Sequence, residues 1–450
     1  MSERLMVIGG TAAGLSAASK AKREGDFDVT VIERTGYTSY GSCGLPYYVG
    51  GLIREADELV TLTPGDITGK RGMRLHLRCE ARSIDRIKKL VQVLDLSSQT
   101  SFSVPYDKLV IATGASPIRP GVPGAELAGV LALRTVEDGV ALRKNLNQGG
   151  VCIVGGGFIG LELAAELIAS GQPVTVVERL PRILPTIIPE FAEMVEDSLK
   201  ESGATLLTGT ELTGILGENG RVCRAVTSKG AFPCSTVVMC VGVRPNSALA
   251  KEAGIALGRS GGLLVNTGMQ TSDPNIWACG DCVETYSVVT GEPIYMPLGT
   301  HANKQGKVAG SVIAGGSAKN PGVLGSQITK ILHLYVGGTG LTGEQAARSG
   351  FDPVSVTIEK NDRASYYPGG QKCRVHLVAD RTTGRLLGGQ IIGGESAAGR
   401  VNVLAAALSA GMSARELAGL DLVYAPPVAP VYDPITVAAE QLTKQMERQG

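Results

Sequence analysis

An excess of charge of either sign is missing from this 450-residue chain: 43 Lys+Arg stand against 42 Asp+Glu, a formal net of +1. That balance excludes the basic footprint of a nucleic-acid binder and the acidic tail of a solvating segment. Long apolar runs are missing too. Nothing approaches the roughly 18 consecutive apolar residues a membrane helix needs. The four-residue run after Met1-Ser2-Glu3-Arg4 is too short for the apolar core of a signal peptide. The nine cysteines (43, 79, 152, 223, 234, 240, 279, 282 and 373) are odd in number and scattered, which is not the pattern of a disulfide scaffold. A cytoplasmic protein with reduced thiols is expected. Histidine is scarce, with four in the chain (76, 301, 333 and 376). Cys279-Gly280-Asp281-Cys282 therefore has no second cysteine pair or ready histidines to complete a zinc site. Those two cysteines read as small packing residues, and no metal is expected.

Apolar residues and glycine are what the chain has. Hydrophobic content is 43%, enough for sizeable cores, and the length suggests about three domains. Glycine reaches 61 of 450 residues, nearly double the usual share of about 7%. The glycines fall in short clusters within apolar strand-like runs, which points to close backbone approach rather than low complexity. Leu5–Ile8 reads as a buried strand, followed by Gly9-Gly10-Thr11-Ala12-Ala13-Gly14, a helix to about Glu24, and a strand Val29–Ile32 ending in Glu33. The same unit returns as Val151–Val154, Gly155-Gly156-Gly157-Phe158-Ile159-Gly160, a helix to about Ser170, and Val174–Val177 ending in Glu178. Strand, glycine turn, helix, strand and acid make a βαβ dinucleotide unit. The turn brings a pyrophosphate to a helix N-terminus and the acid accepts from a ribose. Only the second copy has the full Gly-x-Gly-x-x-Gly spacing; Thr11 stands where the first would have its middle glycine.

Each unit has a later partner: Lys108–Ala115 follows the first and Val237–Pro245 the second, and Ile276–Ala278 then leads into Cys279-Gly280-Asp281 as a return toward the first unit. One dinucleotide is expected to be FAD and the other a nicotinamide. The last 125 residues read differently. Residues 328–336, 354–358 and 373–379 look like antiparallel strands, helices are expected at 399–411 and 413–420, and a Pro-rich stretch (Tyr424–Pro430) precedes a final amphipathic helix. Ser413 and Glu416 form a capping-box pair at the start of the second of these helices.

Between the first acid and the next strand lies Tyr37-Thr38-Ser39-Tyr40-Gly41-Ser42-Cys43-Gly44-Leu45-Pro46-Tyr47-Tyr48. With this segment the chain resembles the pyridine nucleotide-disulfide oxidoreductases, and among them the single-cysteine branch, which is marked by Ser-x-x-x-Cys, here Ser39 to Cys43. That branch holds coenzyme A-disulfide reductases, sulfur or polysulfide reductases, NADH oxidases and NADH peroxidases. The two-cysteine relatives carry a partner five positions away, but Tyr48 and Thr38 occupy those positions here. Cys43 must then cycle through a mixed disulfide with substrate, a persulfide or a sulfenic acid. A helix N-terminus beside a flavin is expected to lower its pKa.

The resemblance implies an α/β fold of two Rossmann-like FAD and NAD(P) domains, glutathione-reductase-like, with a C-terminal α+β dimerisation domain. Its boundaries fall at 1–117 with 246–323 (FAD), 118–245 (NAD(P)) and 324–450. It places FAD contacts at Gly9, Gly10, Ala12, Ala13, Gly14, Glu33, Arg34, Ser42, Ala112, Thr113, Gly114, Gly280 and Asp281, and nicotinamide-dinucleotide contacts at Gly155, Gly157, Phe158, Ile159, Gly160, Glu178 and Gly242. Tyr366 and Tyr424 match tyrosines that reach a partner subunit's active-site sulfur in a homodimer. Ser16, Lys20, Arg23, Ser39, Ser42, Arg71 and His301 match coenzyme A contacts, with Arg71 where the family usually has lysine. The carboxylate of Glu178 favours NADH by repelling a 2′-phosphate, with Arg179 and Arg182 close enough in sequence to admit NADPH. The expected activity is NAD(P)H-driven reduction of a small disulfide, persulfide or polysulfide. The oxidases and peroxidases usually carry a histidine in the first glycine turn, where this chain has Ala12, so sulfenic acid chemistry is the lesser expectation. A reductase for a small redox protein is the other alternative. Neither nucleic acid nor membrane is an expected partner.

Overall fold

The computed structural model describes residues 2–146 and 149–448. Each βαβ unit builds a five-stranded parallel sheet. In the first, the strand order is Ile276–Ala278, Lys108–Ile111, Glu3–Ile8, Phe27–Ile32, Arg74–His76. In the second it is Thr205–Leu207, Val174–Val177, Val151–Val154, Thr236–Met239, Val130–Ala132. The central strands run apolar on both faces because both faces are covered: Val7, Val31, Val110 and Ile153 have no measurable exposure. The late strand Ile276–Ala278 pairs in parallel with Lys108–Ile111, so the chain does return to its first sheet. Each glycine turn follows the central strand of its sheet, at the carboxyl edge where ligands bind in open α/β folds.

The C-terminal sheet is antiparallel, in the order Gln327–Ile331, Leu334–Gly340, Leu386–Gly393, Lys372–Asp380, Pro353–Asn361. The single strand expected at 328–336 is two strands of a hairpin, reversed at Leu332, whose φ of 55° is left-handed. The strand Leu386–Gly393 escaped the sequence reading because its glycines weaken the alternation, yet it is buried along its whole length. The helices expected at 399–411 and 413–420 are Ala397–Ser409 and Ala414–Ala418, the latter with its Ser413/Glu416 capping box formed. Two three-stranded meanders, at residues 79–105 and 212–233, were not anticipated. No helix among the described residues is long and apolar enough to cross a membrane.

The helix that follows the first turn, Ala12–Glu24, crosses Gly299–Ile313 at very close range. A side chain on Gly306 would strike the Ala13 carbonyl, and one on Gly310 would strike the Ala17 carbonyl and lie 2.8 Å from Cβ of Lys20. Glycine at both positions lets the helix backbones touch and holds the turn helix in place. Gly310→Val should therefore destabilise the protein by about 1–3 kcal/mol as an overpacking change and weaken cofactor retention at the first turn. Urea unfolding and the flavin content of purified protein measure both effects.

Candidate active site

The two glycine turns are built alike to the atom. Gly9 has φ 110° and Gly155 φ 111°, and a Cβ on either would run into the carbonyl of Ala112 or Cys240. The buried Glu33 closes the first turn: one oxygen accepts from the Gly10 N–H at 2.7 Å, the other from the Thr35 N–H and hydroxyl at 2.8 and 2.9 Å. Glu178 repeats this, accepting from the N–H groups of Gly156 and Leu180, both at 2.7 Å. The acids thus hold the turns in shape through backbone N–H groups. Both turn helices start without a side-chain cap and without an acid in the first turn. The space in front of Gly157 is empty to 4 Å. Uncapped N–H groups beside such a cradle are what a dinucleotide pyrophosphate requires, so the residues present fit two dinucleotides.

The other residues expected to contact FAD lie close by. Gly280 (φ 84°) leaves room for Cβ of Ala13 and donates to Gln305 at 2.8 Å. Asp281 is ion-paired with Arg134 at 2.6 Å, and Tyr295 donates to its carbonyl at 2.8 Å. Thr113 and Gly114 are laced to Asn246 by reciprocal hydrogen bonds. Arg34 is exposed and pairs loosely with Glu80 at 3.9 Å. Arg182 pairs with Glu193 on the surface.

Cys43 sits in a single 3₁₀ turn, Ser42–Gly44, that leads into the short helix Leu45–Val49. Ser39 ties this segment to the first turn: at φ 44° it donates its N–H to the Gly10 carbonyl at 3.1 Å, while its hydroxyl meets that of Thr61 at 2.8 Å. Of the nine cysteines, Cys43 alone is exposed. Cys279 and Cys282 are fully buried, their thiols pushed up by burial, with Cys282 directed at the carbonyls of Ile111 and Cys279. In the protein chain alone the Cys43 thiol sits above its ordinary value. Desolvation and the nearby Glu162 carboxylate push the thiol up, against a smaller pull from Arg134 and Ser42. A five-residue helix has too short a dipole to outweigh them.

Glu162 and Arg134 are the charged residues beside Cys43 that sequence reading missed. Glu162 lies in the first turns of the helix Phe158–Ala169, with its carboxylate 2.5 Å from the Thr329 hydroxyl of the C-terminal sheet. Burial, and to a lesser degree Glu166, raises its own pKa. Burial with the Glu162 charge pushes Tyr47 up to about 12. A signal existed: two acids four residues apart, Glu162 and Glu166, on one face of an otherwise apolar helix.

Tyr366 and Tyr424 stand on separate C-terminal loops, 73% and 47% exposed, with their hydroxyls 3.0 Å apart. Ser16, Lys20 and Arg23 share one face of the turn helix. Ser16 donates to Asn303 at 2.9 Å, Lys20 pairs with Glu24 at 2.5 Å, and Arg71 reaches Ser19 on the same helix. His301, on the facing helix, is held toward its neutral form by burial, and its Nδ1 is buried without a partner.

The family profile for pyridine nucleotide-disulphide oxidoreductases matches residues 3–306, and that for their dimerisation domain matches 326–434. The chain is 38% identical over 447 residues to an NAD(P)H coenzyme A polysulfide/persulfide reductase of Pyrococcus horikoshii, covering 98% of this chain and 99% of that one. It is also 38% identical, over 448 residues, to an NADH oxidase of Methanocaldococcus jannaschii, covering 98% and 99%. Its structure is similar to that of an NAD-dependent persulfide reductase from A. fulgidus, with a TM-score of 0.95 and 37% identity over 99% of this chain and 84% of that one.

Glu162→Gln removes the like charge beside Cys43 and should lower the thiol pKa without bringing it below the ordinary value, because desolvation remains. Alkylation by iodoacetamide at pH 7 should quicken by less than about tenfold, the equivalent of one pKa unit. A pH profile of the alkylation rate checks it.

Proposed function

The chain belongs to the pyridine nucleotide-disulphide oxidoreductases, and we propose that it reduces a small disulfide, persulfide or polysulfide through a mixed disulfide on Cys43. It is an FAD-dependent NAD(P)H oxidoreductase with a C-terminal dimerisation domain. The observation that carries the substrate reading is the solitary exposed thiol, Cys43, at the flavin-side edge, with the other cysteines buried or half-buried. Coenzyme A-type thiols are the favoured substrate class, since Ser16, Lys20, Arg23, Arg71 and His301 gather along one pair of helices where a phosphate-rich nucleotide would lie. Ser39 and Ser42 would line the thiol end.

In this reading the Cys43 thiolate attacks one sulfur of RS–SR, forming Cys43–S–SR and releasing RS⁻. The mixed disulfide then takes two electrons, frees the second thiol as RS⁻ and restores the Cys43 thiolate. FAD, when bound, supplies the two-electron relay from the nicotinamide to sulfur. The net reaction is NAD(P)H + H⁺ + RSSR → NAD(P)⁺ + 2 RSH. Tyr366 and Tyr424, from the partner of a homodimer, hydrogen-bond the leaving sulfur and lend it a proton. Gly9, Gly10, Ala12, Ala13, Gly14, Glu33, Arg34, Ser42, Ala112, Thr113, Gly114, Gly280 and Asp281 hold FAD; Gly155, Gly157, Phe158, Ile159, Gly160, Glu178 and Gly242 hold the nicotinamide dinucleotide. NADH is the preferred donor, because Glu178 faces the ribose while Arg182 is engaged by Glu193. The domains divide at 1–117 with 246–323, 118–245 and 324–450, and the protein works in the cytoplasm.

Cys43→Ser should keep FAD and accept electrons from NADH, passing them to an artificial acceptor, while sulfur-substrate turnover falls by orders of magnitude. Steady-state assays with coenzyme A disulfide, coenzyme A persulfide, polysulfide, oxygen and peroxide compare the acceptors. Full sulfur reduction by Cys43→Ser, or turnover confined to oxygen or peroxide, would sink the proposal. Glu178→Ala should weaken NADH binding and narrow its advantage over NADPH, as read from kcat/KM with each donor. A wild type that already prefers NADPH would show the role given to Glu178 to be wrong.

A further inference from the structure

Tyr366 and Tyr424 sit on irregular loops, and an exposed loop tip does not by itself hold a hydroxyl to the half-ångström that proton transfer needs. The stems of both loops converge on one buried guanidinium. Arg400, in the first turn of Ala397–Ser409, is 7% exposed in its side chain. Its Nε lies 3.2 and 3.0 Å from the two carboxylate oxygens of Asp433, and a terminal nitrogen lies 2.8 Å from the second. That same nitrogen donates to the Asp362 carbonyl at 3.0 Å.

Asp433 ends the Tyr424 loop. It caps the final helix, Pro434–Glu447, by accepting from the Ile435 N–H at 2.9 Å. Asp362 closes the Tyr366 loop by a reciprocal pair with Gln371, N–H to carbonyl and N–H to carboxylate, both at 2.9 Å. The Asp362 carboxylate also accepts from Ser396 at 3.2 Å and pairs with Arg363 at 3.3 Å. Two loops distant in sequence are therefore joined twice: at their roots by Arg400 and at their tips by the 3.0 Å contact between the tyrosine hydroxyls.

We propose that Arg400 is a positioning residue for the tyrosine pair, clamping the stems of both loops so that the two hydroxyls meet as one hydrogen-bonded unit. The proposal rests on the role given to Tyr366 and Tyr424 above. Arginine holds the two loops through two nitrogens, Nε on both Asp433 oxygens and one terminal nitrogen shared between Asp433 and the Asp362 carbonyl, whereas lysine offers one ammonium for all of them. Lysine at this position keeps the charge and loses the Nε contacts to Asp433. The ionisable groups around it are Asp433, Asp362, Arg363 and the thiol of Cys373, and none of these reaches the tyrosine hydroxyls except through the loops.

The test is a double-mutant cycle on the FAD-loaded enzyme with coenzyme A disulfide as substrate. Arg400→Lys should lower kcat by about tenfold to 100-fold, with NADH reduction of an artificial acceptor and the KM for NADH unchanged. In a Tyr424→Phe background the same change should cost less than about twofold, because the group it positions is already gone. An equal loss in both backgrounds overturns the proposal. Asp433→Asn, which keeps a helix cap but loses the charge, is the companion variant should Arg400→Lys fail to fold, and the same non-additivity is expected of it.

A readout independent of turnover separates this proposal from the reading beneath it. With 3-fluorotyrosine incorporated, the ¹⁹F resonance missing from Tyr424→Phe reports Tyr424, whose ionisation the hydroxyl of Tyr366 holds above the ordinary value. Arg400→Lys should lower that titration toward the value seen in Tyr366→Phe. If the titration moves but Tyr424→Phe has full activity, the catalytic role of the tyrosines fails and the clamp stands. If the titration does not move, the clamp fails.

Discussion

The site depends on how closely backbone can approach backbone at two glycine turns. Gly9 touches the carbonyl of Ala112, Gly155 that of Cys240, and in each turn the last glycine, Gly14 or Gly160, lies against the carbonyl of the first. A buried carboxylate then closes each turn through backbone N–H groups. Hydrogen bonds to an ionised group contribute roughly 1.5–3 kcal/mol, about twice a neutral pair. Because the N–H groups of the helix ends have no side-chain cap, they remain for an anion. The closure of each turn and its readiness for an anion use the same few atoms.

Placement of the thiol follows from that closure. The Cys43 segment is hung from the first turn by the bond from Ser39 to Gly10, and it packs against the helix of the second turn, where Gly50 lies against Glu166 at what would be a Cβ separation of 2.7 Å. Glu162 on that helix reaches Thr329 of the C-terminal sheet. Three parts of the chain thus contribute charge or hydrogen bonds around one sulfur. The thiol carries a raised pKa in the chain alone because the carboxylate and the enclosing protein outweigh Arg134.

How much was legible in the sequence divides along range. The glycine turns, their acids and the capping box at Ser413 were readable, because each is decided within about 30 residues by backbone conformation, period and local hydrogen bonding. The solitary character of Cys43 was readable as well, since it depends only on the absence of a cysteine five positions away. The strand at 386–393 and the hairpin at 332 were not, because glycine carries no side chain to alternate and a left-handed leucine has no sequence mark.

What only the tertiary structure decided is the electrostatics and the long-range joints. Nothing in the sequence places Glu162 beside a thiol more than 100 residues earlier, or sets a raised pKa against the lowering that a helix end suggests. Nor does it bring Arg134 to Asp281, or root the loops of Tyr366 and Tyr424 on Arg400. The physical reason is common to all. Turns and periods are set by covalent geometry between near neighbours, whereas a pKa or an ion pair depends on distance and solvent exclusion, which exist only once remote segments have packed.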